Sequence, residues 1–426
     1  MRVEPAAAVR GAIAVPGVKG ISQRAVLLGA VADGSSRIRG FGRAADTESA
    51  IHVVRSLGAE VDEDGDEVTV HGMGLRGLAA PSSPIDCGNA GTVLRLVSGL
   101  LAGQTGTFEL VGDESLSARP HERVAAPLRE MGADVQTTDG HAPVVITGRR
   151  LRPIRYELPV ASAQVKSAVL FAGLLAESGP TTVVEPIPTR DHTERLLGGL
   201  GVRVTRGARE VSVWPVDRLP PLDLEIPGEF SSAAPFVVAA VLLAESELVV
   251  RGVNVNSTRT GLLDVLGRMG ARVTIFNRRT VGGEPVGDLE VRSAPLVAAT
   301  VDGAEVPAMV DELPLLALVA AFARGTTDVR GAEELRHKET DRIAAVVEEL
   351  QRLGVRAHAR PDGFTVTGVP SRPRGGRLDA RGDHRMAMLG AVAGLVSREG
   401  VDVEGAETVA ISFPGFFDLL DSVTHR

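Results

Sequence analysis

The run Leu27-Leu28-Gly29-Ala30-Val31-Ala32-Asp33-Gly34-Ser35-Ser36-Arg37-Ile38-Arg39-Gly40 joins an apolar helix-like stretch to a polar break, a β-rich stretch and a glycine. The pattern recurs at Ser98–Gly112, Leu170–Glu185, Val237–Gly252, Leu316–Gly331 and Met388–Gly405, usually ending in glycine. The final residues lie 72, 73, 67, 79 and 74 positions apart, so the 426 residues divide into six units of about 71. A second signature, Leu/Met-Gly-Ala/Val-x-Val/Ala, interleaves with the first at Gly58, Gly132, Gly201, Gly270 and Gly354, with no clear sixth copy. Glycine there suits a left-handed helix C-cap before a strand. Alternation in Glu67–His71 and Gly363–Gly368 predicts short strands between the helices. Each unit therefore reads as helix, strand, helix and one or two strands. The period is too long for ankyrin or leucine-rich repeats and fits an α/β protein built by duplication.

The length suggests two or three domains of ordinary size. The Pro-rich stretch Leu219–Leu222, before Ile226-Pro227-Gly228, is the best boundary candidate. Net charge is −8 with no basic block, which argues against non-specific nucleic-acid binding. The single cysteine, Cys87, cannot form an intramolecular disulfide, and no Cys/His cluster suggests structural zinc. Apolar runs such as Ala233 to Ala244 are too short for a membrane span, and a cytoplasmic location is expected. Only three lysines, Lys19, Lys166 and Lys338, stand among 43 arginines. Coding bias accounts for the skew, but Arg is not isosteric with Lys, so the three positions invite their own explanation.

Polar clusters precede the apolar helices, and capping alone explains their Ser, Thr, Asp and Asn. It does not explain Lys19, Arg24, Arg95, Arg119, Arg190, Lys338, Arg342 and Arg385, since a cation in a first helical turn is unfavourable without an anion. These residues are candidates for gripping phosphate or carboxylate groups on a small substrate. Lys338 and Arg342 are spaced i, i+4 and are expected on one helical face, with Glu339 between them. Asp311 precedes an apolar helix with no obvious local salt partner and reads as either an N-cap or a general base. Gly72-Met73-Gly74-Leu75-Arg76-Gly77 fits a dinucleotide fingerprint in form only, because Pro81 and Pro84 follow where a helix is required. No Walker A sequence is present, and the nine histidines lack metal-ligand spacing.

With these residues assembled, the chain resembles the 5-enolpyruvylshikimate-3-phosphate synthases, a branch of the enolpyruvyl transferases. The resemblance is carried by Pro16-Gly17-Val18-Lys19, Asn89-Ala90-Gly91-Thr92-Val93-Leu94-Arg95, Gly112-Asp113-Glu114-Ser115 and Arg119-Pro120. It continues through Ala161-Ser162-Ala163-Gln164, Thr189-Arg190-Asp191-His192-Thr193 and Asn256-Ser257-Thr258-Arg259-Thr260-Gly261. Asp311-Glu312, Lys338-Glu339-Thr340-Asp341-Arg342, Asp383-His384-Arg385-Met386 and Ser412-Phe413-Pro414-Gly415-Phe416-Phe417 complete it.

The resemblance implies a two-domain inside-out α/β barrel, each domain built from three βαβαββ units. One domain would comprise residues 1–16 plus 230–426 and the other 17–229, with the active site in the cleft between them. The implied reaction transfers the enolpyruvyl group of phosphoenolpyruvate to the 5-hydroxyl of shikimate 3-phosphate, a step of chorismate and aromatic amino acid biosynthesis and the target of glyphosate. No cofactor or metal is implied, and the enzyme would be a cytoplasmic monomer that engages neither nucleic acid nor membrane. By position, Lys19, Gly91, Arg119, Gln164, Arg342 and Arg385 would face phosphoenolpyruvate. Gly20, Arg24, Ser162, Ala163, Gln164, Arg190, Asp311 and Lys338 would face shikimate 3-phosphate. Asp311, Glu339 and Lys19 would be catalytic, Asp311 taking the hydroxyl proton and Glu339 protonating the enol methylene.

Departures from the family pattern are Gly20 for the usual Ser or Thr, Gln23 for Asn or His, Glu229 for Asp, and Ile411 where some members carry Lys. Alternatives are a UDP-sugar enolpyruvyl transferase, a paralogue with another acceptor, and a non-catalytic repeat protein that binds a phosphorylated ligand. Ser115-Leu116-Ser117-Ala118 lacks the cysteine typical of the UDP-sugar branch.

Overall fold

A computed structural model describes residues 1–426 as a mixed α/β chain. Two compact units emerge. One comprises Gly17–Pro227 with Thr280–Glu284, and the other Met1–Pro16, Gly228–Arg279 and Pro285–Arg426. The chain switches units at Pro16/Gly17 and at Pro227/Gly228, two residues before the 229/230 junction expected above, and Thr280–Glu284 departs from the expected 230–426 segment by grouping with the N-terminal unit.

Six sheets carry one recurring arrangement. In the second unit of sequence, Ile85–Asp86 runs parallel to Thr107–Val111 through the intervening helix Gly91–Leu101. The strand His141–Thr147 then pairs antiparallel with Thr107–Val111, and Asp134–Thr138 closes the edge as a hairpin. The same order recurs around Thr181–Val184 and around Gly325–Val329. In two sheets the leading strand comes from a distant part of the sequence. Ala8–Ala14 runs parallel to Glu247–Asn254, and Asp223–Glu225 runs parallel to Ser35–Arg39.

One helix in each repeat is buried on nearly every side. In the N-terminal unit these are Lys19–Ala30, Gly91–Leu101 and Ala163–Leu174. In the other they are Phe230–Leu242, Leu313–Phe322 and His384–Val396. A helix that is apolar all round belongs inside a core, which explains the unbroken Ala/Leu/Val texture. Burying each Leu or Val contributes about 1.5–3 kcal/mol, and the sheets lie outside these helices. Gly99 lets two of them touch, since a Cβ there would lie 2.1 Å from the Ala168 carbonyl oxygen on the Ala163–Leu174 helix.

The five signature glycines have φ between 80° and 109°, as the C-cap reading requires. The missing sixth has a topological cause. The last helix, Phe416–Val423, leads directly into the short strand Thr424–His425, which joins Ala8–Ala14. In the sixth sheet the place of the hairpin is taken by Arg2–Val3, antiparallel to Val401–Glu404. No helix is long and apolar enough to cross a membrane.

Candidate active site

The N-terminal unit gathers the leading ends of its three central helices. Gln164 Nε2, on the Ala163–Leu174 helix, donates to Thr92 Oγ1 on the Gly91–Leu101 helix at 2.8 Å. Arg24, on the Lys19–Ala30 helix, donates through its terminal nitrogens to Ser167 Oγ at 2.9 Å and to the Gly20 carbonyl at 2.7 Å. Its Nε reaches Thr193 Oγ1 at 2.7 Å. Of the three helices only the one led by Ser162 has a side-chain cap, with Ser162 Oγ accepting from Val165 N–H at 3.3 Å. Val18 and Ala90 precede the other two and offer none, so first-turn N–H groups remain for an incoming anion.

Cations crowd this end with few carboxylates to offset them. Arg95 donates to Gln164 Oε1, and its buried Nε makes no hydrogen bond. Arg119 donates to Asn89 Oδ1 at 2.5 Å and to Ser115 Oγ at 3.2 Å. Gly91 lies beneath both guanidinium groups: a Cβ there would stand 3.2 Å from an Arg119 nitrogen and 3.4 Å from one of Arg95. Burial pushes Arg95 down to about 10, and the charges of Arg123 and Arg119 add to the fall. Burial likewise lowers Arg24 to about 10; Glu194 and Glu284 oppose the shift, and the nearby charge of Arg190 reinforces it. Both remain cationic at neutral pH, in a setting that an anion would relieve. Lys19 lies 3.3 Å from Asp46 Oδ2.

The C-terminal unit repeats the gathering with different chemistry. Arg385 donates to the Ser231 carbonyl at 3.0 Å, and Ser231 Oγ donates to Glu312. These bonds tie together the leading ends of the His384–Val396, Phe230–Leu242 and Leu313–Phe322 helices. Here the central cation is Arg342, 1% exposed. It forks onto Asp383 at 2.7 and 3.2 Å, reaches Glu339 Oε2 at 2.7 Å, and lies 3.5 Å from Asp311 Oδ1. Burial alone would lower Arg342, but Asp383, then Glu339 and Asp311, carry it above the usual arginine value. Arg259 shows the same balance, with burial opposed by Glu229, Glu312 and Asp311.

Two expectations need correction. Lys338 and Arg342 do not share a helical face: the helix is Arg342–Arg352, capped by Asp341, whose Oδ1 accepts from Ala344 N–H at 3.0 Å. Lys338 lies in the turn before it and pairs with Glu334 at 2.5 Å. The i, i+4 spacing was misleading because the aspartate cap interrupts it. Asp311 is not an N-cap either, for Glu312 holds that place and makes no side-chain cap bond. As expected it has no partner nearby in sequence, and its ionic partners come from far along the chain, Arg259 at 3.4 Å and Arg342 at 3.5 Å.

Lys19, Gly20, Arg24, Gly91, Arg119, Ser162, Ala163, Gln164 and Arg190 all belong to the N-terminal unit, and Asp311, Lys338, Glu339, Arg342 and Arg385 to the other. Several supporting groups escape a sequence reading, because their partners lie far along the chain. Asp46 stands 27 residues from Lys19, and Asp383 stands 41 from Arg342. Asp383 does carry a local signal, since its Oδ1 accepts from Arg385 N–H as a helix cap at 2.8 Å. Cys87 is buried, which pushes its thiol up to about 12 and leaves it packed and unreactive.

A family model described as EPSP synthase (3-phosphoshikimate 1-carboxyvinyltransferase) matches residues 3–420. The 3-phosphoshikimate 1-carboxyvinyltransferase of Salinibacter ruber is 47% identical over 426 residues, covering 99% of each chain. That of Lactiplantibacillus plantarum is 48% identical over 425 residues, covering 98% of this chain and 97% of its own. The solved EPSP synthase of Acinetobacter baumannii superposes with a TM-score of 0.93 at 40% identity, covering 99% of this chain and 97% of its own. An enolpyruvyl transferase of Streptomyces tendae shares the fold, with a TM-score of 0.78 at 20% identity over 99% of this chain and 96% of its own. The chain belongs to the EPSP synthase family.

Proposed function

We propose that the two clusters serve one reaction, the transfer of the enolpyruvyl group of phosphoenolpyruvate to the 5-hydroxyl of shikimate 3-phosphate with release of phosphate. One observation carries this reading. The N-terminal cluster is rich in buried cations with little to neutralise them, whereas the C-terminal cluster ties two carboxylates, Asp311 and Glu339, to the single guanidinium of Arg342. The first suits the binding of anions and the second proton traffic.

In this reading Lys19, Gly91, Arg119, Gln164, Arg342 and Arg385 hold phosphoenolpyruvate. Gly20, Arg24, Ser162, Ala163, Gln164, Arg190 and Lys338 hold shikimate 3-phosphate beside Asp311. Glu339 gives a proton to the methylene carbon, and cationic character develops at the adjacent carbon that bears the phosphate ester. Asp311 takes the proton of the 5-hydroxyl as its oxygen bonds to that carbon. The tetrahedral adduct then breaks its bond to phosphate, and the new methyl group returns a proton as the double bond re-forms. Summed over the cycle, the hydroxyl proton leaves with phosphate. Lys19 and the arginines stabilise the departing charge.

The test is phosphate release on mixing the protein with shikimate 3-phosphate and phosphoenolpyruvate. Steady release is expected. Release with only a UDP-sugar, or binding of both ligands without turnover, would replace this reading by one of its rivals.

Gly91→Ala is expected to raise KM for phosphoenolpyruvate by roughly three- to tenfold, because the new methyl would lie 3.2 Å from the Arg119 guanidinium and 3.3 Å from Leu116 Cδ1, and both must give by a few tenths of an ångström. Those are the ends of flexible side chains, so folding should be spared and the melting temperature should stay near wild type. Equal KM values in the two proteins would place phosphoenolpyruvate elsewhere.

A further inference from the structure

Lys166 is the one lysine that the reaction leaves unused, and it is 1% exposed. Its Nζ donates to Glu185 Oε2 at 3.0 Å and lies 2.7 Å from Glu194 Oε1. Both carboxylates are buried, at 4% and 1% exposure. Glu194 has no hydrogen-bond partner on either oxygen, so its contact with Lys166 is a bare ion pair. Glu185 is better supplied: its other oxygen, Oε1, accepts from Thr189 N–H at 3.1 Å and from Thr189 Oγ1.

The chain neighbours of these groups are the partners of the acceptor site. Ser167 follows Lys166, and Thr193 precedes Glu194; both hydroxyls accept from Arg24. Arg190 follows Thr189, close enough to Arg24 for their charges to repel. One ammonium therefore joins the three backbone segments that frame Arg24 and Arg190. It also neutralises carboxylates that would otherwise compete for those arginines, since Arg24 already feels the charge of Glu194.

We propose that Lys166 is a positioning residue for the acceptor phosphate, fixing Arg24 and Arg190 through Glu185, Glu194 and Thr189 while keeping the two carboxylates from neutralising them. The inference rests on the assignment of Arg24 and Arg190 to shikimate 3-phosphate under the proposed function. Arginine at this point would not serve, because a planar fork cannot occupy the place of a compact ammonium between two buried carboxylates.

The experiment measures KM for each substrate and kcat in Lys166→Met, Glu185→Gln, the double variant Lys166→Met with Glu194→Gln, and Arg24→Ala. Lys166→Met should raise KM for shikimate 3-phosphate by roughly tenfold or more, with KM for phosphoenolpyruvate moving less than about twofold. The double variant restores the net charge of the cluster and should recover most of the loss, which a role in packing alone would not produce. Glu185→Gln keeps the shape of the side chain, so it reports even if Lys166→Met does not fold; it should raise the same KM severalfold. Equal changes in both KM values, or an unchanged KM for shikimate 3-phosphate in folded variants, would overturn the inference. Arg24→Ala separates the two levels. If it leaves KM for shikimate 3-phosphate unchanged, the acceptor assignment itself fails, and if it raises that KM while the Lys166 and Glu185 variants do not, only the positioning role fails.

Discussion

Replacing Arg342 with methionine is expected to lower kcat/KM by at least about 10³-fold and to reduce stability by about 3–5 kcal/mol, the range for breaking a buried ion pair. Asp383 is fully buried and turns both oxygens to the Arg342 fork, so removal of the guanidinium leaves its charge in the core with only the Arg385 N–H still bonded to it. Asp311 and Glu339 lose their shared partner at the same time. Thermal melting and steady-state rates on one preparation separate the two effects. Adding Asp383→Asn should return much of the stability, because the stranded charge is gone, but none of the activity. Lysine at 342 keeps one charge without the bidentate geometry and should fall between. If the methionine variant melts like wild type and turns over within tenfold of it, Arg342 is neither the structural nor the chemical hub described above.

The second large effect belongs to the carboxylates. Asp311→Asn and Glu339→Gln should each lower kcat by about 10²- to 10⁴-fold, the usual contribution of a positioned acid or base. Both keep the size and planarity of the side chain, so neither KM should move by more than a few fold. Asp311 sits between the guanidinium groups of Arg259 and Arg342, which fix its direction, whereas Glu339 is about half exposed and can exchange protons with water. The double variant should be little worse than the poorer single one, because groups that act as one unit are not additive. Losses that instead multiplied in full would assign the two carboxylates to independent steps.

Much of the fold was legible because duplication leaves a period. The glycine after each second helix marks a left-handed residue, and the strands expected at Glu67–His71 and Gly363–Gly368 occur with those bounds. Pairing between distant strands was not written locally. Nothing within Ala8–Ala14 points to Glu247–Asn254, nor within Asp223–Glu225 to Ser35–Arg39, since strand registry depends on the partner rather than on the strand.

The clusters of polar residues before the helices were visible in sequence, but their use was harder to divide between capping and chemistry. Structure separates Ser162, Asp341 and Asp383, which cap, from Lys19 and Gly91, whose helices carry no side-chain cap. Spacing failed at Lys338 and Arg342, where a capping aspartate ended the periodicity that made them look like neighbours. The excess of arginine over lysine said little in itself. Lys166, the least conspicuous of the three lysines, proves to be the most buried.

A proton delivered to the methylene carbon is later withdrawn from a methyl group in the proposed reaction, and running that reaction in heavy water reads the step directly. With shikimate 3-phosphate and phosphoenolpyruvate in D₂O, the vinyl methylene of the enolpyruvyl product should carry deuterium, detected as added mass and as loss of proton signal at that carbon. Product formed at the normal rate without deuterium would mean that no methyl-bearing intermediate exchanges with solvent, and would contradict the role given to Glu339.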